Sequence, residues 1–174
     1  MPNWCNNHIT ITGPNKLIDK IEKTGYSDWY SWAVDNWGTK WEVCEFYGVD
    51  RQHLNDSLDE STISLSFDSA WSPPIGAYEN FLAENENCSL VARYYEGGCD
   101  FMGIWDNGDD RCYQPSNYKS DDKFFDSGDG KEIDDYFGIT ESTAEWEAEQ
   151  ETEAEQKVRE LVVEKKAVNI GEDQ

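Results

Sequence analysis

The chain has 174 residues, of which 37 are acidic and 14 basic, for a formal charge of -23. Such a balance repels nucleic acid and anionic membranes, since counterion release needs clustered Lys and Arg and none are clustered here. Its natural complement is a partner with a basic surface. Aromatics at 14% fill a core with few residues, which argues against disorder despite a mean hydropathy of -0.82.

The length suits one domain with an appendage. No stretch approaches the ~20 apolar residues of a membrane span. Cys5, Cys44, Cys88, Cys99 and Cys112 form no CxxC pair, and MPNWCNNHI has neither the basic nor the apolar run of a secretory leader. The expectation is a cytoplasmic chain with reduced cysteines, in a host cell cytoplasm if phage-encoded.

In chain order, Ile9 and Ile11 alternate with His8 and Thr10, so residues 6–12 read as a strand with His8 facing away from the core. Gly13-Pro14 breaks it, and 16–23 follows as a short helix burying Leu17, Ile18 and Ile21. Residues 26–41 hold Trp29, Trp32, Trp37 and Trp41. Helical spacing with Ser27 as N-cap and Gly38 as stop predicts a helix over 28–37, either packed as core or presented as a binding surface. Residues 41–47 are a further strand candidate, and 48–60 a polar connection.

The clearest signal is STISLSFDSAWSPP at 61–74, where Ile63, Leu65 and Phe67 alternate with small polar residues. Pro73-Pro74 then opens a helix to about 84, carrying Ile75, Tyr78, Phe81 and Leu82. Strands at 88–95 and 99–105 are joined by Glu96-Gly97-Gly98, and a weak strand lies near 111–114. The expected fold class is α+β: a ferredoxin-like antiparallel sheet over 1–115, with helices on one face, central first and third strands, and an added hairpin. An acidic loop region with one short helix at 131–137 fills 116–140. Ser142 with Glu145 has capping-box spacing, opening an acidic helix over 141–168 whose Val158, Leu161, Val162 and Val163 are apolar enough to dock one end. Residues 169–174 read as a tail.

NWCNNHITITGP at 3–14, NWGTKWEV at 36–43, FDSAWSPP at 67–74 and YYEGGCDFMGIW at 94–105 resemble the YubB ferredoxin-like domain family, whose members are encoded mostly by phages and plasmids. The resemblance implies the same fold and a mobile-element origin. It brings no established activity, and it leaves out residues 116–174.

No enzyme, metal or cofactor is expected from the residues. Cys5 and His8, with Cys44 or His53, fall short of a zinc-site spacing. DNGDD and DSGDGKEIDD fail as EF-hand loops, because aligning Gly130 to the sixth position puts Phe125 at the first. Only His8 and His53 are available as bases, and no Ser-His-Asp or Cys-His order stands out.

The loudest signal is acidic. Glu145, Glu147, Glu149, Glu151, Glu153 and Glu155 crowd one predicted helix. Asp106, Asp109, Asp110, Asp121, Asp122, Asp126, Asp129, Asp134 and Asp135 would add to the same surface. The expectation is a non-enzymatic inhibitor that imitates a nucleic-acid backbone and blocks a host nucleic-acid-binding protein. The alternative is an interaction module that docks through 26–41 and Trp71, with acidity serving solubility. A helix alternating glutamate with other residues wraps its charge around the axis, which fits a merely solvated helix as well.

Overall fold

The computed structural model describes residues 3–24, 47–55 and 59–171. Their order is β1 (Trp4–Pro14), α1 (Asn15–Thr24), β2 (Tyr47–Asn55), β3 (Glu60–Ala70), α2 (Ile75–Glu84), β4 (Ser89–Glu96), β5 (Phe101–Asp106) and β6 (Asp109–Tyr113). Two 3-10 turns at Pro115–Asn117 and Lys123–Asp126 then lead to α3 (Gly128–Phe137) and α4 (Ile139–Gly171). The protein is α+β, with a six-stranded antiparallel sheet ordered β2-β3-β1-β4-β5-β6.

Period-2 alternation sets the register. Ile9 pairs with Leu65 on one side and Ala92 on the other, and Ile11 with Ile63 and Leu90, so all six point to one face. There they meet Ile18 and Ile21 of α1 and Ala77, Tyr78 and Phe81 of α2. Asn7 is buried in this layer and is satisfied: it donates to the Cys5 carbonyl and the Ser69 hydroxyl, each at 2.8 Å. Along β1 and β3 the opposite face is polar. Thr12–Thr62 (3.0 Å), Thr10–Ser64 (3.4 Å), His8–Ser66 (2.9 Å) and Asn6–Asp68 (2.7 Å) form a ladder of cross-strand hydrogen bonds.

The expectation of helices on one face alone does not hold. On β4 and β5 the second face is apolar as well, and Met102 and Ile104 bury against Phe125, Ile133 and Ile139. Val91, Tyr95, Tyr113, Tyr118, Phe124 and Phe137 ring that second core. The region 116–140, expected as an acidic loop with one short helix at 131–137, holds that helix, α3, and is a second layer built around it. Gly130 sits so close to the Phe124 backbone that a Cβ there would collide with it. Arg93 ties the layer down, with Nε 2.7 Å from Glu132 and Nη1 3.0 Å from Thr10.

Other boundaries also move. β2 occupies most of what read as a polar connection, and it is fixed by Arg51, whose Nη1 lies 2.6 Å from both Asp19 and Glu22 of α1. The predicted helix over 28–37, the aromatic segment 26–41 and Cys44 lie outside the described residues, as does nearly all of the strand predicted at 41–47. The long helix starts at Ile139, ahead of the capping box, and runs to Gly171 through the start of the predicted tail. Ser142 lies inside its first turn and donates to the Gly138 carbonyl at 3.0 Å.

The second layer hangs on few large side chains, and Ile133 is fully buried among them. Ile133→Ala is expected to lower unfolding free energy by about 2–5 kcal/mol in urea titration. Limited proteolysis should then cut 116–140 before the sheet.

Candidate functional site

α4 is long because most of its residues favour helix and nothing interrupts them: Glu is the commonest residue, with Ala, Lys and Gln besides, and there is no internal proline or glycine before Gly171. Its root is well defined. Gly138 takes the left-handed conformation (φ 61, ψ 40), turning the chain out of α3, and Ile139 is buried. The Asp134 carboxylate accepts from the Thr140 amide and hydroxyl, both at 2.7 Å. Ser120 donates to Glu147 at 2.6 Å.

Beyond that point the helix leaves the body. Every residue from Ala148 to Leu161 is exposed. The expected docking of its far end fails for Val158 and Leu161, which are 59% and 56% exposed, and the side chains of 162 and 163 lie outside those described. At 100° per residue the glutamates fall into two rows at i, i+4 spacing. Glu145, Glu149 and Glu153 form one row, and Glu147, Glu151 and Glu155 the other, on opposite sides of the axis. Lys157 (4.0 Å from Glu153) and Arg159 (3.5 Å from Glu155) offset the last pair weakly, being exposed.

Most of the aspartates have local partners. Asp129 is held by Arg111 (2.8 Å) and accepts from the Tyr113 hydroxyl (2.6 Å). Hydrogen bonding to Arg111 holds its carboxyl below the usual range, and the bond to Asp129 pushes Tyr113 up to about 12. Asp109 pairs with Arg111 at 2.7 Å, and Asp135 with Lys131 at 2.6 Å. Asp110 accepts from the Tyr94 hydroxyl at 2.7 Å, Asp122 caps the Phe124 amide at 2.8 Å, and Asp106 accepts from Asn107 at 2.8 Å. With Asp134 at the root of α4, only Asp121 and Asp126 of the group stand exposed without a side-chain partner among the described residues.

One cluster escaped the sequence altogether. His8 does not face open solvent: its ring stacks on Tyr136 of α3 at 4.2 Å, and Arg93 lies 5.0 Å from the Tyr136 centroid. Burial, then the Arg93 charge, lowers the His8 pKa from 6.5 to about 4. Its Nδ1 lies 2.9 Å from Ser66 Oγ, the spacing of a base and a hydroxyl nucleophile. That pair is also one rung of the polar ladder, covered by Tyr136. Cys5, whose thiol burial pushes up to about 12, points to the opposite face of β1 and cannot share a metal with His8. Among the described residues no three potential metal ligands cluster and no helix is long and apolar enough to cross a membrane.

Comparison of the chain with protein-family models, curated proteins and solved structures finds no match.

Two outcomes follow from the ionisable groups. His8 holds its proton less tightly folded than unfolded, so its contribution to stability is complete above about pH 6.5 and is lost as pH falls toward about 4. In an NMR titration one of the two histidines should stay neutral to below about pH 5, and His8→Phe, which keeps a ring against Tyr136, should flatten that part of the stability profile. Asp129 has the same sign for a different reason, since its depressed pKa makes its ion pair favourable above the unfolded value. The stability gap between the parent and Asp129→Asn should therefore be full at neutral pH and close below about pH 4 in thermal melts.

Proposed function

We propose that this is a non-enzymatic protein of a phage or plasmid that inhibits a host defence or other nucleic-acid-binding protein by imitating a nucleic-acid strand and blocking its groove. The observation that carries the reading is α4: a helix anchored at one end, exposed from Ala148 to Leu161, with carboxylates in two opposed rows. Glu145 to Glu155 span ~15 Å of axis, about one charge per 3 Å. Each row alone places a carboxylate every ~6 Å. A single nucleic-acid strand carries one charge per ~3.4 Å and a duplex one per ~1.7 Å, so the helix approximates one strand where a groove engages both rows. The mobile-element part rests on the resemblance to the YubB family. The strand order β2-β3-β1-β4, with α1 and α2 on one face, supports reading residues 4–96 as ferredoxin-like.

The partner is a cytoplasmic host protein with a basic groove. Binding needs no direct contact with nucleic acid, no membrane and no cofactor. The association is steered by charge and is therefore fast and salt-sensitive.

A second reading, an interaction module with acidity serving solubility, is favoured by one observation: Trp71 stands 48% exposed.

A basic single-strand-binding host protein that captures the chain provides the test. Single-stranded DNA should displace the chain, binding should fall steeply between ~50 and ~200 mM salt, and replacing the six glutamates of α4 with glutamine should weaken it by about tenfold or more. A ternary complex with DNA, or binding indifferent to salt, would overturn the proposal. Full affinity in a chain ending at residue 140 would favour the module.

A further inference from the structure

Three exposed aromatic residues lie toward one end of the sheet: Trp4 at the start of β1, Tyr47 at the start of β2 and Trp71 just past the end of β3. Trp4 is 41% exposed, Tyr47 49% and Trp71 48%. The three strands are neighbours, with Trp4 paired to Ala70 and Tyr47 to Ser66. Between those rows lies Asp68, opposite Asn6. Tyr47 Oη donates to Asp68 Oδ1 at 3.0 Å, and Asn6 Nδ2 donates to the same oxygen at 2.7 Å. Oδ2 takes no side-chain hydrogen bond among the described residues. Diagonal neighbours across an antiparallel pair lie ~7–8 Å apart, within reach of a large ring, which puts Trp4 beside this carboxylate.

Trp71 adds a second kind of observation. Its φ of 70 is left-handed, a conformation that favours glycine, and its amide is fixed to the Asn3 carbonyl at 2.9 Å. Core packing does not account for a half-exposed tryptophan at such a position. Residues held in strained backbone and presented outward belong to binding surfaces more often than to cores.

We propose that this end of the sheet receives an arginine side chain of a basic partner protein, its guanidinium lying over the rings and donating to Asp68 Oδ2. Charge selects the occupant: a chain of -23 with a carboxylate at the centre of the site repels anions. Geometry selects arginine over lysine, because a planar guanidinium stacks on a ring and keeps its edge donors for the carboxylate, whereas an ammonium is a point charge. The contact is separate from α4 and stands whether or not that helix binds.

The experiment uses the full chain with the six α4 glutamates replaced by glutamine, so that the helix cannot capture the probe. Tri-arginine peptide is titrated in about 150 mM salt while the indole N–H signals are followed by NMR. The Trp4 and Trp71 signals should shift and saturate, and tri-lysine should bind several-fold more weakly. Asp68→Asn and Trp71→Gly should each weaken tri-arginine binding by about five- to tenfold. Trp71→Gly relieves the left-handed backbone, so its melting temperature should not fall and lost binding cannot be ascribed to unfolding. Unchanged affinity in either variant, equal affinity for tri-lysine, or shifts confined to other residues would overturn the proposal.

Discussion

The protein is organised by a sheet that is apolar on both faces at one end and on only one face at the other. Along β3 and β1 the face away from α1 and α2 is a ladder of Ser, Thr, Asn, Asp and His8 that hydrogen bonds to itself. Along β4 and β5 the same face carries Val91, Met102 and Ile104, which must be covered. The cover is the segment after β6, with Phe125, Ile133 and Ile139 buried in it. Where that cover ends, at Ile139, decides where the acidic helix leaves the body. Arg93 sits on the boundary between the two halves, bonded to Thr10 of the ladder and to Glu132 of the cover.

Much of this was legible, and the failures have physical causes. β1 and β3 declared themselves because each has one buried face, so alternation survives in the sequence. The second layer was announced by Met102 to Trp105, a run buried without interruption, since a strand covered on both sides loses its alternation. The run's apolar continuity marks it as a strand but says nothing by itself of which segment covers the second face. β2 was hidden for the opposite reason: YGVDRQHLN is polar, bulged and paired on β3 alone among the described strands, and its ties to the body, the Arg51 ion pairs with α1 and the partly buried Val49, leave no pattern within the strand. The stacking of His8 on Tyr136 joins residues 128 positions apart and has no local signature.

Acidic residues divide by side-chain length in a way that counting charges cannot reveal. The aspartates cluster in turns and helix ends, where a short carboxylate reaches a nearby amide or a facing arginine, as Asp122, Asp129 and Asp134 do. The glutamates of α4 have few such targets, and glutamate favours helix where aspartate does not. Sequence density alone put both groups on one surface. The structure gives most of the aspartates local partners, Asp109 and Asp135 while still exposed, and leaves the glutamates of α4 with few.

That division carries a thermodynamic consequence for α4. Each glutamate row sets like charges four residues apart, at 145–149, 149–153, 147–151 and 151–155, and such pairs destabilise a helix by roughly 0.2–0.5 kcal/mol each. The total of about 1–2 kcal/mol acts on a stretch, Ala148 to Leu161, that is exposed throughout. A basic groove would remove this repulsion on contact, so the bound helix would be stiffer than the free one and the relief would add to affinity. A helix kept merely for solubility has no such use for carboxylates at i, i+4 spacing, and glutamates interleaved with lysines would solubilise it equally while stabilising it. The rows of α4 carry the repulsion uncompensated from Glu145 to Glu151, the stretch farthest from Lys157 and Arg159. That is where a cationic surface would gain most by binding.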